Sequence, residues 1–207
     1  TYELDQFAEE LILKASGKPA FKGYKGFPGT LCTAINSVIV HGIPKKDEFL
    51  KEGDIFTADC GVIYKGFYTD AAKSIAIGEV SNQKKQLLKV AYEALYKAID
   101  VAKPGNRVGQ ISKIIEETVV QASFDIVRDL TGHGIGKNLH EEPTILNYFD
   151  GNMGAALSPG MTICIEPIFA AGSGKIKTLP DQWTLVTADN STAIQTEHTI
   201  LITKNGN

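Results

Sequence analysis

Residues 82–102, NQKKQLLKVAYEALYKAIDVA, set apolar side chains at Leu87, Leu88, Ala91, Leu95 and Ile99, the 3.6-residue period of an amphipathic helix. Lys103-Pro104-Gly105 breaks that period and ends the helix. A second helical period over about 107–121 produces the stripe Val108, Ile111, Ile114, Ile115, Thr118 and Val119. A third helix, about 3–15, is expected after Thr1 as its cap, with Glu3 and Asp5 in the first turn facing the positive end of the dipole. Elsewhere the pattern turns to strand, over 31–41, 54–63, 67–77, 161–169, 183–188 and 192–203. Strands on either side of a helix pair predict an α+β fold, taken as one domain over 1–207.

The two halves of the chain are coarsely alike. The second runs helix, Pro-Gly, helix, glycine-rich segment, strands; the first has one helix before the glycine-rich FKGYKGFPG and its strands. The comparison predicts that a further helix precedes residue 1 in the natural protein, and that without it part of the first half's apolar surface is uncovered.

Composition narrows the class of partner. The net charge of -3 offers no basic field for nucleic acid and no Lys/Arg run for an anionic membrane. No apolar run reaches the roughly 20 residues that span a bilayer, and the acidic opening TYELDQFAEE is unlike a signal peptide, so a cytoplasmic address and small or peptidic partners are expected. The three cysteines, Cys32, Cys60 and Cys164, lie far apart without a CxxC pair and read as buried small residues.

Four acids stand where strands should be apolar. In DIFTADCGVIYKGFYTDAAKS a turn centred between Tyr64 and Lys65 makes Asp59 and Asp70 cross-strand partners on one face, with Cβ atoms roughly 5 Å apart. The reverse face, Phe56, Ala58, Cys60 and Val62, is apolar. Opposed like charges on a half-buried sheet destabilise it unless a cation or a shared proton neutralises them. Glu166 in ICIEPIF and Glu197 in AIQTEHTILIT carry the same desolvation problem, and Pro167 marks an edge or bulge that re-aims Glu166. Lys73 is the only cationic residue within these strand cores, so a metal site is the economical explanation.

TGHGIGKNLHEEP, 131–143, holds two of the four histidines. Gly132, Gly134 and Gly136 argue against a helix through His133 and let the backbone run close to a ligand while His133 points inward. Two Asp, two Glu and one His form an oxygen-rich set able to hold two divalent ions of the Mn, Fe, Co and Zn group.

These residues resemble type I methionine aminopeptidases, of the pita-bread metallopeptidase superfamily that includes aminopeptidase P, prolidase and creatinase. The resemblance rests on CTAINSVIVHGIP (32–44), DCGVIYKGFYTDAA (59–72), TGHGIGKNLHEEP (131–143), MTICIEPI (161–168) and WTLVTADNSTAIQTEHTI (183–200), and covers all but the extreme N-terminus. It implies pseudo-twofold halves, a curved antiparallel sheet with helices on its outer face, and two divalent ions, Co, Mn, Fe or Zn. Asp59 and Asp70 are implied to bind the first ion, and Asp70, His133, Glu166 and Glu197 the second, with Asp70 and Glu197 bridging. Glu166 is then the proton shuttle for an attacking water. His140 is implied to donate to the substrate carbonyl and His41 to contact the scissile amide or the next residue.

The implied pocket for the N-terminal side chain is Phe21, Tyr24, Phe27, Cys32, Leu139 and Trp183, each also an ordinary core residue. Leu139 stands where many bacterial members carry an aromatic, and Gly61 where a hydroxyl residue is frequent. The expected function is removal of initiator methionine from nascent chains with a small second residue, by a monomer acting at or near the ribosome. The alternatives are a proline-specific exopeptidase of the same superfamily and a non-catalytic binding module on the same fold, the latter opposed by the complete ligand set and the negative charge.

Overall fold

The computed structural model describes residues 1–207. Three helices form where the apolar period predicts them: α1 (Tyr2–Lys14), α2 (Asn82–Val101) and α3 (Val108–Gln121). The first half adds strands β1 (Lys18–Pro19), β2 (Leu31–Ile35), β3 (Val38–Val40), β4 (Ile55–Tyr64) and β5 (Phe67–Ala76). The second adds β6 (Asp125–Ile126), β7 (Thr131–Gly134), β8 (Glu141–Leu146), β9 (Thr162–Ile165) and β10 (Ile168–Ala170). It continues with β11 (Ile176–Thr178), β12 (Leu185–Thr187), β13 (Ala193–Gln195) and β14 (His198–Leu201).

Each half builds a four-stranded antiparallel sheet. In the first, β4 pairs with β5 on one edge and with β1 and β2 on the other. In the second the order is β14-β9-β7-β8. The sheets are stitched together where Glu197 N donates to Ala72 O at 2.9 Å and the Thr199 hydroxyl donates to Asp70 O at 2.7 Å. This seam is where the candidate site lies.

The helices α2 and α3 bury their stripes against the sheets. Leu87, Leu95, Ile111 and Ile115 are fully enclosed with Ile163, Ile165 and Phe169, and each such side chain contributes about 1.5–3 kcal/mol relative to exposure. By contrast α1 leaves Leu4, Phe7 and Leu11 exposed.

Several local expectations are corrected. Thr1 occupies the cap position of α1, but its hydroxyl accepts from Lys45 N at 2.9 Å instead of from the helix. Asp5 is buried and accepts from Thr30 N and Leu31 N at 2.7 and 2.8 Å, so it anchors α1 to the start of β2 and does not serve the helix dipole alone. The segment 31–41 folds as two strands, 161–169 breaks at Glu166-Pro167, and 192–203 breaks at Thr196-Glu197. At the first break the chain leaves the sheet containing β9 and β14 for the one containing β10 and β13, and at the second it returns. Cys60 is only half-buried.

Candidate metal centre and substrate cavity

The β4–β5 hairpin turns on Lys65 and Gly66, both at positive φ (49° and 79°), as a two-residue primed turn requires. The register therefore pairs Asp70 with Gly61 and Asp59 with Ala72. Asp59 and Asp70 are diagonal neighbours, not the directly opposed pair that a turn at Tyr64-Lys65 implies. The shift is even in strand positions, so both carboxylates stay on the same face.

Glu166 and Glu197 reach that face from the two strand breaks, and His133 from β7. One carboxylate oxygen from each of Asp59, Asp70 and Glu197 lies within 4.8 Å of the others. His133 Nε2 is 3.6 Å from Glu166 Oε1, and its Nδ1 lies 2.8 Å from Gly134 O, which fixes the ring. All five residues are buried. The glycines around His133 have a different use from close approach to a ligand: a side chain at Gly132 would strike the Cys164 carbonyl of β9, and one at Gly134 the Glu142 carbonyl of β8. They admit neighbouring strands and thereby hold His133 in the sheet.

Electrostatics decide what this nest can hold. Burial, followed by the charges of Asp70 and Glu197, raises Asp59 well above the usual carboxylate range. Burial pushes Asp70 up to about 7. Glu166 is raised by burial and then by Asp59 and Asp70, and Glu197 by burial and then by Asp70 and Glu166. No lysine or arginine pairs with any of the four. Asp59 Oδ1, Asp70 Oδ1 and Glu197 Oε1 are buried without a hydrogen-bond partner. Orphaned anionic oxygens converging in a dry pocket fit a divalent cation, which satisfies them and removes the mutual repulsion.

The cluster lines a cavity of about 350 Å³, a size suited to a single side chain and its peptide neighbours. Phe21, Tyr24, Phe27, Cys32, Leu139 and Trp183 all line it, as do His41 and His140. Phe27 meets the Trp183 ring edge-on at 5.2 Å between centroids. His41 follows β3 with φ 57° and is exposed. His140 sits beside His133 with centroids 4.4 Å apart, and burial, reinforced by His133 and Lys25, pushes its imidazole down to about 4. It is therefore neutral at pH 7.

Some contributors have no separate signal in the sequence. Gln195 Nε2 donates to Glu166 Oε2 at 3.3 Å and approaches Glu197 Oε2 at 3.5 Å, tying two acids together. It lies two positions before Glu197, and equal parity was the available clue. Tyr24 Oη is 3.1 Å from His140 Nδ1, a partnership of residues 116 positions apart. His198, of opposite parity to Glu197, is exposed and packs near Tyr96, 6.2 Å between centroids, away from the cluster. Gly61 lacks a side chain for a reason: a Cβ there would lie 2.5 Å from the Phe21 ring.

A buried nest of four carboxylates and one imidazole, at the seam of two alike half-sheets and open to an apolar cavity, defines a metal-dependent hydrolase. Residues 1–204 match the model of metallopeptidase family M24. The chain is 45% identical to the methionine aminopeptidase of Clostridium acetobutylicum over 206 residues, all of this chain and 82% of that protein. It is 46% identical to methionine aminopeptidase 1 of Bacillus subtilis, again over its whole length and 83% of the relative. Among solved structures, the methionine aminopeptidase of Thermotoga maritima superposes with a TM-score of 0.97 at 43% identity, covering 99% of this chain and 82% of that one. The prolidase of Pyrococcus furiosus does so at 0.74 and 25%, covering 99% and 53%.

The chain belongs to metallopeptidase family M24 and has its pita-bread fold. It is a metal-dependent aminopeptidase that binds divalent metal. No helix is long and apolar enough to cross a membrane.

Proposed function

We propose that this enzyme removes N-terminal methionine from nascent proteins and peptides whose second residue is small, using two divalent ions. One observation carries the reading: apolar side chains able to take a thioether and the carboxylate nest line one and the same cavity. Relatives at 40–46% identity that bear the name methionine aminopeptidase support it. Asp59 and Asp70 are the ligands of one ion and Asp70, His133, Glu166 and Glu197 of the other, an assignment supported by the unpartnered oxygens of Asp59, Asp70 and Glu197. Action as a monomer on chains emerging from the ribosome, in the cytoplasm, belongs to the same proposal.

The bound metal supplies an acidified water and polarises the scissile carbonyl. Glu166 accepts the proton of the attacking water and delivers it to the leaving amine. His140, held neutral, donates from Nε2 to the carbonyl oxygen as it gains charge. For that its Nδ1 must be the acceptor, so the Tyr24 hydroxyl donates to it, which makes Tyr24 a positioning residue as well as a wall of the pocket. His41, at the open side, contacts the scissile amide or the following residue. Phe21, Phe27, Cys32, Leu139 and Trp183 enclose the methionine side chain, and the closed end of the pocket excludes acyl-blocked termini.

Hydrolysis of Met-Ala-Ser by the chelated enzyme, resupplied with Mn, Co, Fe or Zn separately, tests the reading; turnover of Xaa-Pro but not of Met-Ala peptides selects the proline-specific alternative. The two neighbouring histidines should separate. His140→Ala is expected to keep its metal and lose about 10²–10³ in kcat, the usual loss for one oxyanion donor, whereas His133→Ala is expected to weaken metal binding. Equal metal loss in both variants contradicts the division of labour. Gly61→Thr should drive the Phe21 ring toward the cavity and raise KM for methionine peptides about tenfold or more, with kcat less affected. The double change Gly61→Thr with Phe21→Cys should recover most of it, and an unaltered KM in the single variant refutes the coupling.

A further inference from the structure

We propose that Cys164 provides a second, sulfur-containing way of holding metal at this centre: His133, Cys164 and Glu197 form a pocket for a thiophilic divalent ion of the zinc and cadmium type. It overlaps the oxygen-rich site and, for the part played by His133 and Glu197 in hydrolysis, rests on the function proposed above.

Cys164 lies directly opposite His133 in the β7–β9 register. It shares strand parity with Glu166, and while its neighbours Ile163 and Ile165 pack toward the helices, Cys164 packs with Phe21, Cys32 and Leu139 on the cavity side. Its Sγ, a nitrogen of His133 and an oxygen of Glu197 all lie within 4.8 Å of one another, and all three residues are buried. Glu197 Oε1 has no hydrogen-bond partner. The thiol also lies within hydrogen-bond distance of Thr199 Oγ1, at 3.4 Å, a contact that an ion on sulfur would replace. A tetrahedral ion with bonds of about 2.0 Å to N and O and about 2.3 Å to S draws these donors closer by roughly 1 Å.

The two donor groups differ in kind. Asp59, Asp70 and Glu197 offer only oxygen, suited to harder ions, whereas a thiolate selects softer ones. Glu197 belongs to both, so an ion seated on sulfur competes with the hydrolytic arrangement. Ligation forms one sulfur–metal bond and releases one proton to solvent. Cys32, opposite Asp59 across β2 and β4, is the competing thiol, and Cys60 is half-buried.

The full chain, stripped by chelation and titrated with cadmium, reports on this through the ultraviolet thiolate-to-cadmium charge-transfer band. One equivalent is expected to raise the band in the unmodified protein, in Cys32→Ser and in Cys60→Ser, and not in Cys164→Ser. Absence of the band in the unmodified protein, its survival in Cys164→Ser, or its loss in Cys32→Ser overturns the proposal. If Cys164→Ser does not fold, retention in the other two variants identifies the thiol by elimination. In parallel, cadmium should inhibit manganese-supported Met-Ala-Ser hydrolysis, and Cys164→Ser should require about tenfold more of it. A band without any manganese-supported hydrolysis leaves the sulfur site standing and removes the proposed function, so the two failures are distinct.

Discussion

Asp70→Asn is expected to lower kcat/KM on Met-Ala-Ser by at least about 10⁴, equivalent to more than about 5 kcal/mol of transition-state stabilisation. The side chain keeps its shape, and its backbone remains fixed between Gly61 in the hairpin and the Thr199 hydroxyl, which accepts from Asp70 N at 2.8 Å. What disappears is a buried anionic oxygen that has no hydrogen-bond partner in the protein and that the proposed function assigns to metal. Metal content per chain should fall with activity. Because the change also removes one of four mutually repelling buried carboxylates, the metal-free variant should melt higher than the metal-free parent, the trade of stability for function found at strained sites. Turnover within about tenfold of the parent, at equal metal supply, would falsify Asp70 as a shared ligand.

The second large effect is a divergence of stability with pH. Burial raises Asp70 from 3.8 to about 7, so over that interval the native metal-free chain holds a proton that the unfolded chain has released. The contribution is complete below the unfolded value and is lost as pH rises through about 7. Asp59, Glu166 and Glu197, also raised, act in the same direction. Metal requires the ionised carboxylates, so its affinity grows as they deprotonate. The gap in Tm between manganese-loaded and metal-free protein should therefore widen from pH about 5.5 to pH about 7.5, by on the order of 10 °C. Melting curves of both forms across that range check it, and a constant or narrowing gap counts against a cation as the group that neutralises the nest.

The helices and most strands were legible because burial imposes a period that the chain must carry locally: Leu87, Ala91 and Leu95 face the sheets where their spacing says they should. The four acids and the imidazole beside them were legible because charge is costly in such strands. Three features were not. The hairpin register depends on which two residues adopt positive φ, and Lys65-Gly66 competes with Tyr64-Lys65 in a way composition does not rank. The breaks at Glu166 and Thr196 arise because the strands change sheets, which no local period encodes. The purpose of Gly61, Gly132 and Gly134 depends on what lies across from them.

The sequence by itself determined the donor chemistry, the α+β class and the resemblance to methionine aminopeptidases, since residue type and short-range spacing carry that information. Only the tertiary structure decided that Asp70 lies diagonal to Asp59, that Tyr24 meets His140, that Gln195 braces Glu166 and Glu197, and that Cys164 faces His133. Those relations join residues as much as 116 positions apart. They come into being only when two half-sheets close along one seam, because a side chain's chemistry is local while its neighbours are set by the whole fold.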